Sequence, residues 1–263
     1  MIWDILIRAF IIGALLSVLL SVISYFVVMR KMTFAGVGIA HSAFGGIALN
    51  FLLGFTTYAF PLFFSIVASL IIAFMYKRGN MTEDSAIDLI FIFSMAFGVF
   101  ILSISDGYSA NMLGILFGNI LSVNNGDLYL SVVVFIFGLT FMSYYFSHFQ
   151  LITYNEELAE ISGIKTTLLY YLFWVVLSVV IVLSIKLIGI ILVNAFLVLP
   201  TLVGLNISRN YKGVVLTAAI SSVLSIAAGI SASYALNTPA GATIVLAYVT
   251  IWIFSLIYKK IKT

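Results

Sequence analysis

The sequence predicts an all-α, polytopic integral membrane protein, and three observations carry that prediction. Hydrophobic residues fill 63% of the 263 positions and charged residues only 8%. The mean hydropathy is +1.25. Apolar runs close to the 20 or so residues that a bilayer core requires recur along the whole chain. A soluble domain of this length needs far more polar surface to stay in solution.

The runs are taken in order. The first, 9–29, ends on Arg30 and Lys31; it is long enough to span and is not expected to be a cleaved signal. The second, 34–53, contains "GIAHSAFGG" (Gly38 to Gly46), a histidine amid glycines and apolar residues. The third, 57–76, stops at Lys77 and Arg78. The fourth, 87–105, follows "MTEDSAID": Glu83 and Asp84 complement the dipole of a starting helix, and Ser85 to Asp88 has the spacing of a capping box. The fifth, 109–122, is about 14 residues long, closer to a re-entrant or half-inserted segment than to a span. Runs at 128–147, 166–185, 187–207, 213–235 and 240–258 complete the set.

The positive-inside rule decides the topology. If 109–122 crossed, the basic residues would divide between the two faces. If it enters and leaves by one face, ten of the twelve Lys and Arg share a side, leaving Arg8 and Lys186 opposite. The second arrangement is adopted. It gives nine spans, an outside N-terminus, a cytoplasmic C-terminus and one half-inserted segment.

Several function classes drop out. The chain has no cysteine, which removes thiol catalysis and Cys-based metal centres. No phosphate-binding Walker loop, nucleophile elbow or HExxH helix is present. The net charge of +3 is read as a topology signal and not as a nucleic-acid surface. The chain is expected to catalyse no bond cleavage, so it works passively or borrows an engine.

"NEELAEISGI" (155–164) reads as a short amphipathic helix in a cytoplasmic loop. Glu156, Glu157 and Glu160 accompany Leu158, Ala159 and Ile161, and Gly163 ends the helix. Such a helix suits a groove on a soluble partner. The competing role is an interfacial helix lying on lipid; three carboxylates and no basic residue argue against it, because inner-leaflet lipids are anionic.

Six stretches in order resemble the ABC-3 family, the membrane subunits of zinc, manganese and iron uptake systems. They are "MTFAGVGIAHSAFGGIAL", "EDSAIDLIFIFSMAFGV", "LFGNILSVNNGDL", "NEELAEISGI", "IGIILVNAFLVLPT" and "TPAGATIVL". The likeness covers nearly the whole chain. It implies one transmembrane permease domain over 1–263, with a coupling helix at about 155–163 in which Glu156, Glu157, Leu158, Ala159 and Gly163 serve a cytosolic ABC ATPase. It also implies an extracytoplasmic metal-binding protein and a second permease copy, all set in membrane lipid. No cofactor is expected on this chain: the divalent metal ion is cargo, and ATP belongs to the partner subunit.

His41 has two readings on the residues alone. An ionisable group inside a span faces the bundle interior or a water path, and imidazole is a good transition-metal ligand. Alternatively, a neutral histidine braces the packing through a hydrogen bond. The resemblance implies the metal path, because the family usually has Ser-His in this helix and an aspartate four residues earlier, on the same face. Here those neighbours are Ala40 and Val37, and Gly45 stands where the family has a later proline. Without the carboxylate, a transient contact is expected and not a fixed site. Gly36, Gly38, Gly45 and Gly46 in that span imply either close helix approach or a wide cavity.

Asn194 and Pro200 are the polar and helix-breaking exceptions in 187–207. Asn194 either offers a carbonyl to a passing ion or hydrogen-bonds two helices together, and Pro200 is a candidate gate hinge. Asp106, Asn124, Asn125 and Asp127 lie on outer loops, as cation attractors or solvated turn residues.

The expected function is the membrane subunit of an ATP-driven importer for a divalent transition metal, zinc first, then manganese or iron. The alternatives are a secondary ion-coupled carrier and an ABC permease for a larger chelate such as cobalamin or a siderophore.

Overall fold

The computed structural model describes residues 2–55, 59–79, 81–104 and 124–262. The expected segment 109–122, and Asp106, lie outside the described residues. Within them the chain forms ten α-helices and no strand: α1 (Ile2–Met29), α2 (Ala35–Leu53), α3 (Ala59–Lys77), α4 (Glu83–Ile104), α5 (Asn125–Tyr154), α6 (Glu156–Ile161), α7 (Thr166–Ile188), α8 (Ile190–Ile207), α9 (Tyr211–Leu236) and α10 (Ala240–Lys262). All except α6 are long and apolar enough to cross a membrane. The nine expected full spans are therefore present as nine helices.

Their ends differ from the sequence reading in three informative places. Helix α4 begins at Glu83, not at 87, and its cap is Thr82. The Thr82 hydroxyl accepts from the Ser85 amide at 3.2 Å, and its carbonyl accepts from the Ala86 amide at 3.1 Å. Ser85 is thus inside the helix, and the expected Ser85–Asp88 box is displaced one turn earlier. Helix α5 runs seven residues past the expected end at 147, because no breaker precedes Asn155. The break between α7 and α8 falls at Gly189, with φ +83°, and not at Lys186. Glycine adopts that left-handed backbone without a Cβ clash.

The described chain clusters into two compact units. One comprises the described residues of 2–33, 124–145 and 184–262; the other comprises those of 34–55, 59–79, 81–104 and 146–183. In the first, α1 packs against α8 and α9, and α10 covers both of the latter. Ile12, Leu16, Leu19 and Leu20 of α1 are fully buried there. Polar groups add interhelical bonds in this interior. Ser24 and Thr201 hydroxyls lie 2.8 Å apart, and the Tyr248 hydroxyl meets Ser221 and Ser222 at 3.0 and 2.8 Å. Such bonds are worth about 0.6–2 kcal/mol each between membrane helices.

In the second unit α2 is the central helix, flanked by α3 and α4. Its glycines are contact points. A Cβ on Gly46 would sit 2.5 Å from Pro61 Cα and 2.6 Å from the Phe60 carbonyl oxygen, both backbone atoms. A Cβ on Gly45 would meet the Phe64 ring at 2.8 Å, and one on Gly38 would meet the Ile87 side chain at 2.5 Å. Close approach, and not a cavity, explains these three positions. Ser65 of α3 adds a hydrogen bond to the Ile39 carbonyl at 3.4 Å.

Candidate functional site

His41 lies in the middle of α2, one residue before Ser42 and opposite α4. Its ring makes an edge-to-face contact with Phe91, centroids 4.9 Å apart and planes at 83°. The ring is half-buried, and Nδ1 is shielded from solvent with no hydrogen-bond partner among the described residues. Ser42, the nearest hydroxyl in sequence, is committed to its own helix: it donates to the Gly38 carbonyl at 2.8 Å. The bracing hydrogen bond expected under the packing reading is therefore not what this serine supplies. The Nδ1 position keeps its capacity for another partner.

Val37 stands one turn before His41 and is half-buried. Among the described residues no group of three or more His, Asp or Glu side chains is placed to hold a metal ion together. Among the described residues His41 is therefore not part of such a cluster.

The second part of the site is α6. Its six residues are far below the length at which a helix stands alone in water, roughly 12–15 residues, so neighbours must hold it. Asn155 caps it, the side-chain carbonyl accepting from the Leu158 amide at 3.0 Å. Ala159 is fully buried and anchors the inner face. At the far end Gly163 takes φ +80°, and the Ile164 amide donates back to the Ala159 carbonyl at 3.0 Å. This is the glycine stop that the sequence indicated. Glu160 accepts from the Thr166 hydroxyl at 2.6 Å, and Glu156 forms an ion pair with Lys77 at the end of α3.

What remains outward is a mixed face. Glu157 is exposed, as are Leu158, Ile161 and the adjoining Tyr154, the last two more than four-fifths accessible. Beside it, Glu160, Ile164, Lys165, Leu168 and Tyr171 are among the residues lining an open groove of about 540 Å³. An acidic, apolar-tipped helix next to a groove can seat a protein partner by shape and charge.

The polar groups around α6 extend into the bundle ends. The Tyr170 hydroxyl donates to Glu83 Oε1 at 2.6 Å, Lys77 Nζ lies 5.1 Å from the Tyr170 ring centroid, and the Tyr76 ring is 5.4 Å from it. Glu83 therefore does more than complement the α4 dipole. These contacts bring the loops around 76–88 and 149–167 together, as the topology requires of two loops on one membrane face. Sequence reasoning missed Lys77, Tyr76 and Tyr170 as members of this cluster. The basic end of α3 was visible, but its acidic partner is 79 residues away.

The remaining candidates fall elsewhere. Asn194 and Pro200 lie on α8, in the other unit from His41 and α6. Asn194 Oδ1 is buried with no hydrogen-bond partner among the described residues, so its carbonyl does not tie helices together within them. Helix α8 continues unbroken through the buried Pro200. Asp127 is neither a free cation attractor nor a solvated turn residue. It exchanges two bonds of 3.0 Å with Asn124, backbone to side chain in each direction, and pairs with Lys186 at 3.2 Å. With Asn124 as the cap, it closes the start of α5 and ties it to the end of α7.

Comparison with known proteins gives a consistent result. The ABC 3 transport family matches residues 2–259. The chain is 32% identical over 242 residues to a "Probable metal transport system membrane protein" of Thermotoga maritima, covering 90% of this chain and 84% of that one. It is 29% identical over 248 residues to the "Manganese import system permease protein ScaB" of Streptococcus gordonii, covering 94% and 89%. Among solved structures it is similar to "PsaBC from Streptococcus pneumoniae in complex with Fab", with TM-score 0.81 and 25% identity over 97% of this chain and 94% of that one. With nine membrane-length helices among its described residues and permeases matching it along nearly its whole length, this is a multi-pass cell-membrane protein, and it belongs to the ABC 3 transport family.

Proposed function

We propose that this chain is the membrane-spanning subunit of an ATP-driven importer for a divalent transition-metal ion. The observation that carries the reading is α6: a six-residue acidic helix, held at three points by the permease, that leaves Glu157, Leu158 and Ile161 outward beside a groove. That is the surface a cytosolic ATPase needs if its motion is to enter the membrane helices. Two permease copies meet with the metal path at their two-fold axis, an extracytoplasmic binding protein delivers the ion, and ATP is bound and hydrolysed on the partner. The permease itself breaks no covalent bond. Alternating access exposes the path to one side at a time.

His41 is the path contact. With one imidazole and Val37 in place of a carboxylate, the ion is held weakly and released, as conduction demands. Imidazole by itself accepts either zinc or manganese. The sequence expectation set zinc first; the names of the relatives, several of which are manganese systems, favour manganese. A secondary carrier fits less well. Every carboxylate among the described residues lies in the first two turns of a long helix or on α6, whereas proton or sodium sites call for carboxylates inside the spans.

The test is elemental analysis of metal-starved cells expressing the ATPase and binding protein, with and without this permease. Permease-dependent accumulation of manganese is expected. Accumulation of zinc alone would reverse the order of the metals, and no change in any transition metal would remove the importer reading.

A further inference from the structure

Helix α6 must be more than a docking handle, because a handle transmits nothing unless something stiff connects it to the path. We propose that Lys77 is a positioning residue that couples α6 to the helices around His41, acting through Glu156 and a ring cluster centred on Tyr170. This rests on the reading of α6 as the ATPase-docking helix.

The electrostatics of the pair are unusual in their consistency. Lys77 is the last residue of α3, where unsatisfied carbonyls favour a cation. Glu156 is the first residue of α6, where unsatisfied amides favour an anion. Each charge thus sits at the helix end that suits it and neutralises the other. The pair is mostly withdrawn from water, with Lys77 17% and Glu156 32% accessible, so solvent screens it less than a surface pair. Tyr170, only 2% accessible, is packed beneath the ammonium and ties Glu83 at the start of α4 into the same cluster. Partly buried ion pairs add little net stability, and their best-attested use is to fix a geometry.

What is fixed here leads to His41. Helix α3 is seated on α2 through the backbone contact of Pro61 with Gly46 and through the Ser65 bond to Ile39, two residues from His41. Helix α4, held by Glu83, carries Phe91 against the His41 ring. A push on α6 therefore reaches both neighbours of α2 through packed, hydrogen-bonded contacts, with Lys77 at the entry. Contiguity alone is not coupling, so the proposal stands or falls on a charge-exchange experiment.

The experiment uses the complete transporter, permease with its ATPase and binding protein, reconstituted into vesicles and supplied with manganese and ATP. Lys77→Met removes the charge and keeps the aliphatic stem. It is expected to leave the ATPase bound to the permease and to lower metal transported per ATP by about tenfold, a coupling within the range measured for contacting residues. Lys77→Arg should retain transport. Glu156→Lys should fail like Lys77→Met, and the double exchange K77E/E156K should recover part of the loss, only part because each charge then faces the wrong helix end. Should Lys77→Met not accumulate, Glu156→Gln reads out the same pair. Normal transport per ATP in either neutralised variant, or a double exchange no better than the single ones, would overturn the proposal. Failure of the unmodified permease to retain any ATPase would instead overturn the docking role of α6.

Discussion

Replacing His41 with alanine is expected to lower metal uptake by at least about tenfold, since even indirect supports of a metal ligand are worth 10–100-fold. The protein should remain folded. The ring's visible investment in packing is the edge contact with Phe91, worth about 0.5–1.5 kcal/mol, which would move the melting temperature of a chain this size by only a few degrees. Uptake and thermal unfolding in detergent therefore separate the two roles of the residue. A large loss of uptake with a small change in melting assigns His41 to the path. Unchanged uptake with a lowered melting temperature would make it a packing residue, and its buried Nδ1 would then need a structural partner.

The second large effect is expected at α6. Glu157→Arg combined with Ile161→Asp should release the ATPase from the permease, because it reverses a charge and desolvates badly at an exposed apolar tip; anchors of this kind cost about 2 kcal/mol or more, at least thirtyfold in affinity. Glu156 is the wrong residue for this test. Its carboxylate is engaged by Lys77, so reversing it would perturb the seating of the helix and not the outward docking face. Ala159 is likewise turned inward, and a larger residue there would unseat α6 from below. Co-purification of the ATPase with the double variant checks the prediction, and full retention would deny α6 its role.

How far the sequence alone could reach is clearest at the element ends. Length and hydropathy located nine spans because a bilayer leaves so little choice of structure. They misplaced boundaries where the deciding feature was local chemistry. Thr82 captures the start of α4 one turn before the apolar run, and Gly189 provides the positive φ that Lys186 could not. His41 stood out as a candidate because an imidazole among glycines violates the composition around it, and Gly163 was legible because a helix stop has a sequence signature. The cluster of Lys77, Glu83, Tyr170 and Glu156 was not legible. Glu83 and Tyr170 are 87 residues apart, each member has an ordinary reading by itself, and only the packing of α3, α4, α6 and α7 makes them neighbours. The glycines of α2 lay between these cases: small residues advertise close approach, but the backbone of Pro61 against Gly46 had to be seen.

The central claim is that this permease moves a divalent metal ion inward at the expense of ATP bound elsewhere. Its most direct test is manganese entry into vesicles carrying the permease, its ATPase and its binding protein, with ATP enclosed with the ATPase or omitted. The account predicts accumulation against a gradient that needs enclosed ATP and the binding protein, and that stops when the ATPase is inactivated. Accumulation driven by a proton or sodium gradient without ATP would contradict it and return the chain to the class of secondary carriers.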